Sequence, residues 1–412
     1  MGLLVLVDKF LRHSIIKGGI SLLFLLMSFQ AGSQPISLAP DPNQLQFEQA
    51  IRLMQAGSYA LALEQFADLY ALTSSLRVKL EWARTAFLAK QYDLANDLFL
   101  AVLEEPIPDV VRFNVSLYLS EIAQLGNQTD WGIGFTRDFN PFGVPEDQEI
   151  ILFGLPFQFV ASEPREHLFG ITGYVRHARP LNSSRTLRFV GEFNGVQYEG
   201  SGNNKGDIRL GMDYRLPTFD NVKLKAGIDH YYQKSTVLLR QPYLGAEYRK
   251  DQLSGFLNQY QIEGRLARND YPDFDSLNGH TWSIATFGAK NITPTLQLGV
   301  STYMDDTSSD FDLQSYRTLC AGMHIRFYLP SIRSNLRITY FQSRRRFGAV
   351  DPLFQVRRVD DREFFSVSVQ PYALKVFGLY PSIELGFEET KSAIPINSSD
   401  KTVFNFRLRK NY

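Results

Sequence analysis

The sequence predicts an α + β multidomain protein. An N-terminal α-helical, tetratricopeptide-like array precedes an antiparallel transmembrane β-barrel of about fourteen strands. Three observations predict it. A short apolar run behind a basic start opens the chain. A helical period with an internal repeat follows. From Gly126 onward the hydrophobic period drops to two.

The opening run reads as an export signal over residues 1–33. Lys9, Arg12 and Lys17 precede GGISLLFLLMSFQ, and Ala31-Gly32-Ser33 supplies small residues for cleavage. A spanning helix needs about 20 apolar residues, more than this run has. No Cys follows the cleavage site, so no lipid anchor is expected. No later stretch reads as a spanning helix, which leaves the periplasm, secretion or an outer-membrane barrel as destinations.

Composition narrows the function. Lys+Arg and Asp+Glu are both 43, so the net charge is zero and no nucleic-acid partner is expected. Aromatic residues make up 13%, with 20 Tyr and 32 Phe, enough for the interfacial girdles of a membrane barrel. The single cysteine, Cys320, forms no internal disulfide and no metal cluster; it is expected on a strand face as a small apolar residue.

Residues 34–126 read as a periplasmic helical domain. Phe47, Ile51, Met54, Leu61, Leu63, Phe66, Leu69 and Leu72 recur at helical steps, on one side of a helix. QAGSYALALEQFADLY aligns with LAKQYDLANDLFLAVL at a shift of 33, close to the tetratricopeptide period. Tyr59 then matches Tyr92, Leu61 matches Leu94, Ala62 matches Ala95 and Phe66 matches Phe99. Gly57 supplies the turn in the first unit; the second has Gln91 near that place and no glycine. Pro106 ends the second unit, and a further helix runs from Pro108 to Leu125. Such an array serves either as a plug or spacer, or as a concave surface that grips a partner.

Residues 127–412 alternate. GDIRLGMDYRL sets Ile208, Leu210, Met212 and Tyr214 against Arg209, Asp213 and Arg215. NVKLKAGIDHYY and GLYPSIELGFEE repeat the pattern. Strands of this length with one charged and one apolar face suit a barrel, where the apolar face meets lipid and closure satisfies the backbone. Fifteen strand-like segments are legible. Bacterial barrels have even strand numbers. ILFGLPFQFV is therefore excluded as a spanning strand, because Pro156 removes a ladder donor. In the last strand Phe404, Phe406 and Leu408 share parity with Tyr412, the pattern that barrel-assembly machinery would recognise by strand pairing.

A dense charged stretch, including Arg344, Arg345, Asp351, Arg357, Arg358, Asp360 and Asp361, falls between two expected strands. It reads as a loop or strand ends. It is either solvated or folded into the lumen, where its charges would gate the pore or touch cargo. No metal-spaced histidines, nucleophile elbow or phosphate loop appear. No cofactor, metal or catalytic residue is expected.

These residues carry a resemblance to the surface lipoprotein assembly modulators. DVVRFNVSLYLSEI looks like the family's helix before the barrel, and FGLPFQFVASEPREHLFG like the linker between its first two spanning strands. NDYPDFDSLNGHTW, SYRTLCAGMHIRFYLP and YFQSRRRFGAVDPLFQVRRVDDREFFSVSV are similar to its loop and strand motifs. The helical part is shorter than in many-repeat members, and Tyr412 stands where members often have Phe. The resemblance implies a translocator that delivers a surface lipoprotein or secreted effector protein across the outer membrane. Its implied partners are that cargo, the barrel-assembly machinery, outer-membrane lipid and a periplasmic chaperone. The alternative is a substrate-specific porin or channel with a periplasmic helical domain.

Overall fold

A computed structural model describes residues 41–145, 149–152, 155–158, 166–200, 204–219, 221–234, 236–251, 256–293 and 295–410. The expected signal peptide and Tyr412 lie outside these residues. Packing divides the chain after Gln49, and residues 50–412 form one compact unit that holds both helices and barrel.

Five helices come first: α1 (Pro42–Gln55), α2 (Tyr59–Thr73), α3 (Leu76–Leu88), α4 (Tyr92–Leu103) and α5 (Asp109–Leu125). The repeat is visible in the backbone, because α2 and α4 start on its matched tyrosines, Tyr59 and Tyr92. Ala62, Phe66, Ala95 and Phe99 are buried, as their spacing requires. Leu94 packs against the core formed by α3, α4 and α5. Leu61 does not share its partner's place: it is 56% exposed, and Leu72, expected on the same side, is 73% exposed. The inward stripe of α2 is Ala62, Leu63, Phe66 and Leu69, and Leu61 sits one residue off it. Gly57 turns the chain with φ +78°. At the matching place of the second unit Lys90, not Gln91, takes the left-handed backbone, with φ 60°.

The strands are β1 (Gln128–Asp138), β2 (Glu149–Leu152), β3 (Leu155–Gln158), β4 (Leu168–Pro180), β5 (Leu187–Tyr198), β6 (Lys205–Arg215), β7 (Val222–Gln233) and β8 (Thr236–Asp251). They continue with β9 (Gln259–Asn269), β10 (Gly279–Thr293), β11 (Leu296–Ser309), β12 (Tyr316–Leu329), β13 (Ser334–Val350), β14 (Arg357–Pro371), β15 (Tyr380–Ser392) and β16 (Ser399–Arg409). Fourteen of them close into an antiparallel barrel in sequence order, with β1 pairing β16 and, on its other side, β4. At about 4.8 Å between strands and a tilt of about 40°, such a ring is roughly 28 Å across. β2 and β3 pair only with each other, and Pro156 faces Ile151 in that hairpin. The excluded segment therefore does not span.

Alternation sorts the barrel's side chains. Ile133, Phe135, Leu210, Met212, Leu244, Leu266, Val300, Met323 and Phe404 are exposed on the outer face. A contiguous apolar band of this kind is stable against lipid, not against water. The inward parity carries Asp229, Glu247, Asp305 and Asp360, all buried. Among the described residues no helix is long and apolar enough to cross a membrane.

Of the charged stretch only Asp351 lies in a turn; the other residues are strand ends. Arg344, Arg345 and Arg346 lie within β13, and β14 begins at Arg357, which leaves only residues 351–356 as a turn. The long strands carry polar residues at these ends, so alternation alone leaves loop and strand end both open.

Candidate functional site

The helices enter the barrel at Gln128, so the starts of β1 and β5 and the end of β12 share the helical end. Three groups of contacts hold the helices to it. On one side, Arg185 donates to the carbonyl of Leu125 at 2.9 Å, and Arg188 to those of Ala123 at 3.1 Å and Gly126 at 3.2 Å. Cations belong at helix C-termini, where the last carbonyls lack partners and the dipole is negative. Arg185 also stacks over Tyr92, 4.5 Å from the ring centre. On the other side, the Arg112 guanidinium of α5 lies 4.6 Å over the Tyr328 ring of β12. The third group joins the end of α4 to nearby turns. Lys375 and Tyr380 donate to the Glu104 carboxylate, and Arg333 donates to its carbonyl. Burial pushes the Glu104 carboxyl up, but the bonds from Lys375 and Tyr380 outweigh it and hold the group below its ordinary value.

These contacts span the mouth. From β5 to β12 is seven steps around a ring of fourteen strands, half the circumference. Helix α5 touches both, Arg112 at β12 and Ala123 at β5. That stretch of helix is about 17 Å long. With an arginine side chain at each end it bridges a mouth of roughly 28 Å. Helix α5 is a strut across the barrel's opening.

Inside, the two halves of the wall differ in charge. On β5–β9 the two buried carboxylates, Asp229 and Glu247, are each matched by two cations. Asp229 accepts from Arg209 at 2.8 Å and Arg265 at 2.7 Å. Glu247 meets Lys225 at 2.6 Å and Lys223 at 3.4 Å, and Lys225 reaches Glu263 at 2.9 Å. On β12–β16 a cavity of about 520 Å³ is lined by Arg326, Arg337, Arg407 and Arg409, with Glu384 as its one carboxylate. Glu384 is taken by Arg407 at 3.4 Å.

The residues singled out in the sequence fall into separate places. Arg344 and Asp361 pair at 2.7 Å on the outward parity, both exposed, so they are not lumen residues. Arg345 does face inward, 4.4 Å over the Tyr316 ring. Arg358 faces inward too, over Phe347 at 4.5 Å, and pairs with Asp360 at 2.8 Å. Asp360 also accepts from Ser392 at 2.7 Å. Asp351 folds its own turn, accepting from the Leu353 and Phe354 amides, and Arg357 is exposed at the first position of β14. Phe404, Phe406 and Leu408 share the outward parity of β16, and Phe404 is 41% exposed. Cys320 lies on the inward parity of β12. Among the described residues no three His, Cys, Asp or Glu side chains are placed to hold a metal ion.

The docking arginines and the basic cavity were missed from the sequence. Inward arginines on neighbouring strands, in HIRFY and NLRIT, were the available signal. Register was needed to bring them together.

Comparison with curated proteins gives no match. Solved outer-membrane barrels match in number. OmpT of Vibrio cholerae lacking loop L8 is 10% identical with a TM-score of 0.38, covering 69% of this chain and 99% of that one. OccAB3 of Acinetobacter baumannii is 11% identical with a TM-score of 0.40, covering 69% and 98%. A bacterial polysaccharide outer membrane secretin is 11% identical with a TM-score of 0.39, covering 69% and 98%. Residues 174–412 match the family described as surface lipoprotein assembly modifier. That match takes in thirteen of the barrel's strands from Tyr174 in β4 onward, the barrel-side docking arginines Arg185, Arg188 and Arg333, and the basic cavity. With its closed fourteen-strand barrel, lipid-facing band and helices at the periplasmic mouth, the chain belongs to the surface lipoprotein assembly modifier family of the outer membrane.

Proposed function

We propose that this protein delivers a surface lipoprotein or secreted effector protein across the outer membrane. The barrel acts as conduit or insertion scaffold, and the helices engage the cargo or its periplasmic chaperone before passage. The observation that carries the reading is the strut. Helix α5 is tied to opposite rims of the mouth, so any cargo entering the lumen meets the helices first. A simple diffusion pore needs no such element. Helical arrays of this type present extended surfaces to peptides, which suits a cargo-receiving role. The outward Phe404 and Phe406 and the lipid band support assembly into the membrane by strand pairing with the barrel-assembly machinery. Gene deletion followed by proteomics of the protease-accessible surface tests the reading. One or a few surface proteins should disappear from the surface and persist in the cell. An unchanged surface proteome contradicts it.

A further inference from the structure

Arg326 on β12 and Arg337 on β13 stand directly opposite each other in the ladder. Both line the same lumen cavity. Like charges placed directly across a strand pair are destabilising. Elsewhere in this lumen the fold avoids that cost by interleaving carboxylates, as Asp229 and Glu247 show. Here it does not. Among the described residues neither Arg326, Arg337 nor Arg409 has a carboxylate within 4 Å; Arg409 lies 5.8 Å from the Tyr174 ring and meets the Asp130 carboxylate only at longer range. The Nε of Arg409 and the amide nitrogen of Gln370 are buried without a hydrogen-bond partner, and both residues line the cavity. Tyr372, beside this wall, offers no counter-charge, since burial pushes its hydroxyl up to about 12. Hydroxyls from Thr339, Ser366 and Ser382 add donors to the same space.

We infer that this cavity is a binding site for a phosphate-class oxyanion, held by Arg326, Arg337 and Arg409. Guanidinium forks pair with phosphate oxygens in a bidentate way. Four guanidiniums against one carboxylate call for a multiply charged anion. The cavity's volume is in the range of small-ligand pockets, which fits a small polyanion. An extended acidic peptide would need a groove instead. The site does not depend on the cargo reading, and its test requires no cargo. Phosphate oxygens could come from a free phosphate ester or from a lipid headgroup.

The test uses the full mature chain, purified in detergent or reconstituted, in chloride buffer of fixed ionic strength. Thermal unfolding is followed with inorganic pyrophosphate and, separately, with phosphatidylglycerol vesicles against phosphatidylcholine vesicles. A saturable rise in Tm with pyrophosphate supports the site with a free phosphate source. A rise with phosphatidylglycerol alone supports it with a lipid source. Arg326→Gln should abolish either rise, and should raise the anion-free Tm because it removes the facing like charge. Arg326→Glu should do the same more strongly, by pairing with Arg337. No rise with either probe, a rise equal in wild type and both variants, or a rise only with an acidic peptide overturns the inference. Should the variants fail to refold, wild-type protein that responds to sulfate and chloride as strongly as to pyrophosphate overturns it too.

Discussion

Lys90 holds a left-handed backbone at the turn into α4, the place where the first unit has Gly57. A side chain costs about 1 kcal/mol in that conformation. Its carbonyl is also a docking acceptor for Arg185, at 3.3 Å. Lys90→Gly should therefore raise stability by up to about 1 kcal/mol, read by denaturant unfolding of the helical signal. Gly57→Ala should lower it by about 1 kcal/mol, since its added carbon meets nothing within 4 Å and only the backbone is strained. The repeat spacing was legible because it needs only matched residue types. That Lys90 would take the glycine's conformation was not, since nothing in its chemistry favours it. At the mouth, Glu104 has its carboxyl below the ordinary 4.5. A depressed folded value means the contact with Lys375 and Tyr380 stabilises above about pH 4.5 and is lost as pH falls below it. Hydrogen exchange of the turn 372–379 should be flat from pH 8 to 5 after correction for intrinsic rates and should accelerate below pH 4.5. Acceleration between pH 7 and 6 contradicts this assignment.

The closing seam shows how the strands depend on particular small residues. A Cβ on Gly134 would stand 2.1 Å from the Phe406 carbonyl and 2.9 Å from the Arg407 Cα, both backbone atoms of β16. Gly134→Val should therefore cost about 3 kcal/mol or more through overpacking, and should sharply reduce the heat-modifiable folded band on gels. Across the lumen, Asp229 is 1% exposed between two arginines. Asp229→Ala leaves Arg209 and Arg265 facing each other and should cost about 3 kcal/mol, measured by urea unfolding from lipid vesicles. The strands themselves were legible from period two, and Pro156 removed the one segment that does not span. Their ends were not, because strands above the lipid band lose the apolar half of the pattern. Arg344 to Arg346 in β13 therefore fit loop and strand end equally well by pattern. Pairings such as Arg326 with Arg337 depend on register, which alternation leaves open by any even shift.

For the whole molecule, two architectures were legible as two periods, and the short passage between them placed the helices at one end of the barrel. The diametral docking was not legible. It rests on contacts between residues as distant in sequence as Arg112 and Tyr328, or Glu104 and Lys375. The proposed passage of cargo through the mouth requires these contacts to give way, so that the strut shifts as cargo enters. Cysteines replacing Glu104 and Lys375, in a Cys320→Ser background, joined by a bifunctional thiol reagent with a reducible centre, would lock it, because the long Lys375 and Glu104 side chains meet only at their tips. The most direct measurement is the protease accessibility of the surface lipoprotein on cells carrying this locked form, before and after mild reduction. Surface display should be lost in the crosslinked form and recover on reduction. Undiminished display with the crosslink formed would contradict it.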